Sequence, residues 1–412
     1  MICHNRGSRV VRAGFACVSI PRVKRGSVEQ DARTTVRRLK RKLRHLPTWA
    51  KVSALCVCCL AAFAGAAWAL TVNAVNPEVP EVPLESLGGP TDAEAAPLSS
   101  ANAASAEGGE IAPAETSTLQ KVEVARSAFD TIPSTTNISL FDATGATRAI
   151  DPAEAHDAVA ALAAFREAGN DVGFVVYDFA TERGLAYNAD VSCFSASTIK
   201  APFVTYVAQN VIDAGRASLD DVVYEDVIMD GTGVMATDDE DTYDVRTVMY
   251  NTIVHSDNTG YALLRDEYGE GFEAWAGAAG VDASQWVGEW YPNYTPRDLA
   301  KLWLVVGEYL RGGQGCSGLC EDMLSQTSTS FIRKALGDKH AVLAKAGYEI
   351  DTPWYDMGSL NDAGIVRTET GDYLMVIMSN ADYDDEFFTD NEHLIVDLVK
   401  GLDQARERLL AG

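Results

Sequence analysis

Positive charge is what this chain has little of. Lys and Arg number 34 against 59 Asp and Glu, for a formal net charge of −25 over 412 residues. The shortage is uneven. Residues 1–51 hold 14 Lys and Arg against only Glu29 and Asp31, so this tail stands at +12 and the remainder at −37. A body that acidic argues against nucleic acid as a partner. From Val52 to Gln120 there is no Lys or Arg at all. Cysteine is sparse as well. Only Cys193, Cys316 and Cys320 follow residue 75, an odd number that excludes a disulfide scaffold. Cys316 and Cys320 flank Ser317-Gly318-Leu319 and could form a local disulfide, leaving Cys193 as a buried thiol. No Cys/His set has zinc spacing, so no metal or other cofactor is expected. There is no lipobox among Cys56, Cys58 and Cys59, and no internal repeat.

What is present divides the chain. Residues 52–75 form an uncharged stretch about long enough to cross a bilayer as a helix. The basic segment 1–51 precedes it, which places the N-terminus in the cytoplasm and everything after 75 outside. The alternative is a signal peptide cleaved after Ala74, with Val72 at the −3 position. The length of the basic segment favours an uncleaved single-pass anchor. Residues 76–120, rich in Ala, Pro, Glu, Ser and Gly, cannot bury enough surface to order themselves. As a coil they span on the order of 35–40 Å and read as a tether. Residues 121–150 are either a strand pair or more linker. Residues 151–412 form the main domain, expected as a monomer.

Within it, Asp151-Pro152 starts a helix whose face is Ala155, Ala158, Val159, Leu162 and Ala163. Strands follow at about 172–178 and 184–188. A mainly helical stretch runs from 198 to 336, strands return near 341–348, 354–366 and 372–381, and a last helix covers 391–410. The pattern predicts an α+β fold: an antiparallel sheet flanked by helices, plus an all-helical lobe.

Three segments carry chemistry. Phe194-Ser195-Ala196-Ser197-Thr198-Ile199-Lys200 puts a Ser and a Lys three apart at a helix start, where the dipole disfavours an ammonium. A Lys with a lowered pKa beside a Ser suits acyl transfer. Ser256-Asp257-Asn258 reads as a loop between helices, and Lys345-Ala346-Gly347 as a strand whose Gly permits close approach. Each has an ordinary explanation alone: a helix cap, a capping turn, an edge strand with a protective Lys.

Together, at separations of 59 and 89 residues, they resemble the motif set of the class A β-lactamases and penicillin-binding proteins. Val172–Asp178, Gly231-Thr232-Gly233-Val234-Met235, Thr295-Pro296-Arg297-Asp298-Leu299-Ala300 and Asn361–Val366 are similar to further family segments. The resemblance covers roughly 152 to 411. It implies a β-lactamase/transpeptidase-like fold and Ser197 as nucleophile. Lys200 would activate Ser197 directly or through water. Ser256 and Lys345 would relay a proton to the leaving nitrogen, and Asn258 would position Lys200 and substrate. Gly347 would lie against the substrate. The amides of Ser197 and Tyr348 would form the oxyanion hole. Glu289, with Asn293 four residues on, matches the family's deacylating Glu and its Asn. The implied substrate is a β-lactam or a peptidoglycan peptide; the alternatives are a penicillin-binding D-Ala-D-Ala peptidase with slow deacylation, or a non-catalytic sensor module that binds wall or antibiotic.

The departures are specific. The third motif has Ala346 where the family has a hydroxyl, and Ala363 stands where a basic residue often lies. Both absent groups hold a substrate carboxylate. The omega loop is about ten residues short, and Val287 replaces its clamping Arg.

Overall fold

The computed structural model describes residues 8–13, 16–21, 125–352, 355–384 and 391–410. The uncharged segment 52–75 and the linker 76–120 lie outside them. Among the described residues no helix is long and apolar enough to cross a membrane. In the basic tail, β1 (Ser8–Ala13) and β2 (Ala16–Pro21) form an antiparallel ribbon.

The main domain runs β3 (Ser139–Asp142), β4 (Thr147–Ala149), α1 (His156–Glu167), β5 (Val172–Asp178), β6 (Arg183–Tyr187), β7 (Cys193–Phe194), α2 (Lys200–Val207), β8 (Val222–Tyr224) and β9 (Thr242–Asp244). It continues through α3 (Val245–Val254), α4 (Asn258–Tyr268), α5 (Phe272–Ala278), β10 (Asn293–Tyr294), α6 (Pro296–Gly312), α7 (Ser317–Ser325) and α8 (Phe331–Leu336). It closes with β11 (Ala341–Glu349), β12 (Ser359–Thr368), β13 (Gly371–Ser379) and α9 (Glu392–Leu409). Seven strands form one antiparallel sheet in the order β11-β12-β13-β5-β6-β3-β4.

Side chains alternate across a strand, and here both faces are covered. Tyr373, Met375 and Ile377 of β13 join the core under α1, α8 and α9, while Leu374, Val376 and Met378 join the core of the helical lobe. That is why the run Tyr373–Met378 is apolar at every position rather than at every second one. In α1, Ala158, Ala161, Leu162 and Phe165 are the buried positions. Asp151 and Glu154 form the capping box of a 3₁₀ turn that leads into it.

Residues 125–150 prove to belong to the domain. A helical segment at 125–130 precedes β3 and β4, and β3 pairs with β6, extending the sheet. Arg297 fastens this lead-in: its guanidinium donates to the carbonyls of Phe129 and Ile132 and pairs with Asp190 at 2.7 Å. Three other expectations shift. β12 begins at 359 rather than 354. The helical stretch contains the short ribbon β8–β9 and the strand β10, which pairs back with β7. The Cys316–Cys320 disulfide is not formed: both are free thiols, as is buried Cys193. The Cys320 N–H bonds the Cys316 carbonyl at 3.0 Å, so helical pitch sets their separation.

Candidate active site

Ser197 lies in a 3₁₀ turn, Ala196–Ile199, that feeds directly into α2. In such a turn residues i and i+3 eclipse, which stacks Ser197 and Lys200 more closely than an α-helix would. The Lys200 N–H bonds the Ser197 carbonyl. Ser197 is half-buried, whereas Lys200 is wholly buried. Ala196 has φ 43° and Ser256 φ 53°. These are left-handed conformations that cost a non-glycine residue roughly 1–3 kcal/mol each. Both strained residues sit in the motif loops, held by the contacts around them.

The Lys200 amine donates to the Ser256 carbonyl and to Asn258 Oδ1, each at 2.7 Å. It lies 5.7 Å from the Tyr261 ring centroid and 5.8 Å from that of Tyr291. Among the described residues no carboxylate forms a salt bridge with it. Burial holds it well below the ordinary lysine range, the Lys345 ammonium adds to this, and Asp257 opposes it. Asp257 is committed elsewhere. Its Oδ1 accepts the Gly260 N–H as a helix cap, and its Oδ2 accepts the N–H groups of Val234 and Met235. Thr232 donates to the Ser256 carbonyl at 2.6 Å. A Cβ on Gly233, at φ 118°, would lie 2.3 Å from the Asp257 carboxylate. The 231–235 segment is thus the seat of the Ser256-Asp257-Asn258 loop.

β11 forms the opposite wall. It is an edge strand, but Lys345 on it is only 2% exposed and is no solvent-facing guard. Its amine donates to Ser256 Oγ at 2.9 Å and to the Ala346 carbonyl at 2.8 Å. Burial pushes it down to about 7 against the pull of Asp362. Burial pushes the Asp362 carboxyl up to about 6, although it accepts from Ser330 and the Ile332 N–H. A Cβ on Gly347 would stand 2.7 Å from the Ser197 nitrogen and 2.6 Å from that of Thr198. Only a glycine lets β11, and with it half-buried Tyr348, pass this close to the nucleophile turn. Asn361 on β12 donates to the Phe194 carbonyl at 2.9 Å and locks the turn from the other side.

The omega segment pairs with β7, just before Ser197 (Asn293↔Phe194, Tyr294↔Cys193). Glu289 is exposed, and its carboxylate makes no hydrogen bond among the described residues. Asn293 is also exposed. The residue that reaches the catalytic cluster is Tyr291, whose hydroxyl donates to Asn258 Oδ1 at 3.0 Å. Burial holds its phenol well above the usual tyrosine range, which favours the neutral form that donates this bond. Ser197, Lys200, Ser256, Asn258, Lys345, Gly347 and Tyr348 therefore come together, and Glu289 and Asn293 stay at the rim. Thr232 and Asn361 lie in segments that resemble the family but carried no role in the sequence reading, and Tyr291 was not singled out from the sequence. The shortness of the loop was the available signal that a different omega residue would face inward.

A protein-family model described as the β-lactamase enzyme family matches residues 154–404. The chain belongs to the β-lactamase enzyme family. It is a serine hydrolase of that family, with the β-lactamase/transpeptidase-like fold. The solved structure of PBP-A is 23% identical, covering 62% of this chain and 97% of its own, with a TM-score of 0.51. A β-lactamase from Sphaerobacter thermophilus is 23% identical over 64% of this chain and 100% of its own, TM-score 0.51. One from Burkholderia vietnamiensis is 19% identical over 64% and 99%, TM-score 0.52. A mutant of PBP-A has been solved as an acyl-enzyme complex with penicillin G. At these identities the likeness is one of fold. No curated protein matches the chain.

Proposed function

We propose that this β-lactamase-family protein is a membrane-anchored, extracytoplasmic hydrolase that forms an acyl-enzyme on Ser197 with a β-lactam or related amide. The observation that carries this is a buried lysine amine without a carboxylate partner, one 3₁₀ turn from a half-buried serine. Burial lowers the affinity of that amine for a proton and so favours the free base that a serine nucleophile needs. The Ser197 proton passes to Lys200 as Oγ bonds the carbonyl carbon, and the amides of Ser197 and Tyr348 receive the oxyanion. The C–N bond then breaks, with the leaving nitrogen protonated through Ser256 from Lys345. Water then adds to the ester, its hydroxyl forming the acid and its proton returning to Ser197 Oγ, while the proton held on Lys200 makes good the one lost by Lys345.

A second reading is favoured by the omega segment. With a neutral phenol against Asn258 and Glu289 at the rim, water activation is weak and the acyl-enzyme is long-lived. The protein then behaves as a penicillin-binding peptidase acting on wall peptides.

One experiment tests both. The intact mass of the protein is followed after mixing with penicillin G. An adduct is expected on Ser197 and none on Ser197→Ala; labelling of that variant at the same rate rejects Ser197 as nucleophile. An adduct that persists supports the slow reading, and one that clears as penicilloate accumulates supports a turning-over β-lactamase.

A further inference from the structure

A cavity of 480 Å³ opens beside the nucleophile turn, within the size range of small-molecule sites. Its lining residues include the aromatics Phe194, Trp286, Tyr291 and Tyr355 and the acids Glu289 and Asp356. None of its lining residues is basic. It shares a wall with the catalytic cluster, since Tyr291 both lines the cavity and donates to Asn258 Oδ1. Phe194 lines it too, three residues before Ser197. A group lodged there is therefore next to a carbonyl held at Ser197.

The charge of this neighbourhood is reversed relative to a site built for anions. Ala346 and Ala363, both buried, offer neither a hydroxyl nor a cation to a substrate carboxylate. The cavity adds two acids. Aromatic faces attract cations through the ring quadrupole, and carboxylates add to that attraction. Among the described residues, the cavity's acids are not part of any group of three ligating side chains close enough to hold a metal ion. An organic cation suits both kinds of wall.

We propose that this cavity is a subsite for an ammonium group, primary or quaternary, on the acyl portion of the substrate. The proposal rests on the acylation of Ser197 argued above and names the substrate class: cationic acyl donors.

The test uses the full-length chain and three thioesters of one scaffold. Their acyl groups end in trimethylammonium, in its uncharged tert-butyl isostere, or in a carboxylate. The rate constant for Ser197 acylation is read by intact mass. The trimethylammonium donor is expected to acylate about tenfold faster than its isostere, with the carboxylate slowest. In the double variant Glu289→Gln, Asp356→Asn the first two should fall within about twofold of each other. Equal rates for all three donors in the parent chain, or an unchanged preference in the double variant, overturn the proposal. If no donor acylates Ser197, the acylation reading fails by itself. The cavity is then judged by calorimetric binding of benzyltrimethylammonium to the Ser197→Ala chain. Binding that the double substitution abolishes sustains the cation site, and its absence, or binding that survives the substitution, rejects it.

Discussion

At the scale of single residues, the site is governed by desolvation. Two lysines are buried within one hydrogen-bond chain, Lys200 to the Ser256 backbone and Lys345 to the Ser256 hydroxyl. Each loses proton affinity because the interior disfavours its charge. In the proposed reaction their roles need opposite protonation states. Lys200 must be neutral to take the Ser197 proton, so acylation slows as acid protonates it. Lys345 must be charged to steady negative charge and supply a proton, so acylation slows again as pH rises through about 7. Lys345→Arg keeps its charge to much higher pH. Its alkaline limb should move up by at least about one pH unit in a stopped-flow acylation profile. An alkaline limb that stays in place assigns it to another group.

At the scale of elements, what matters is how closely β11 approaches the turn that carries Ser197. The contact is backbone to backbone, and Gly347 is its hinge point. Gly347→Ala places a methyl within 2.8 Å of three main-chain atoms of residues 195–198, so strand and turn must separate. The two amides proposed to receive the oxyanion, one on each element, then no longer converge. Losing one oxyanion donor costs about 10²- to 10³-fold, and acylation of Gly347→Ala is expected to fall by that order with the circular dichroism spectrum retained. A loss of less than about threefold would show that the approach is not needed. The same logic explains the omega segment. Its pairing with β7, the Ser195 N–H to Pro292 carbonyl bond at 3.1 Å and the Tyr261 hydroxyl to Trp290 carbonyl bond at 2.7 Å leave Tyr291, not Glu289, directed at Asn258.

At the scale of the molecule, the sheet is clamped to its C-terminal helix by a buried ion pair. Asp178, at the end of β5, accepts from Arg406 of α9 at 2.7 Å and 2.9 Å, and the pair is 1% and 4% exposed. Asp178 also caps the next turn through the N–H groups of Ala180 and Thr181. Removing one partner leaves a buried charge uncompensated, at a cost of about 3–5 kcal/mol. Arg406→Met should lose that much in urea unfolding, and a loss below about 1 kcal/mol would mean the carboxylate finds water or another donor. This clamp joins residues 228 apart. The sequence offered no local sign of it, whereas the flanking helices and strands were readable from their periods.

The class of fold was legible in the sequence, and the residues it singled out around Ser197 are brought together in the structure. Period-two and period-3.6 patterns are local, and Ser197, Lys200, Ser256, Asn258 and Lys345 lie at separations that this family's elements span. The sequence also disclosed the missing anchors at Ala346 and Ala363, because an absent side chain is visible without coordinates. Only the tertiary structure decided which omega residue faces Lys200, that Lys345 is buried on an edge strand, and that residues 125–150 complete the sheet. Those outcomes depend on desolvation and on pairing between distant segments. A one-dimensional spacing of Glu289 and Asn293 cannot say which way a shortened loop turns its side chains.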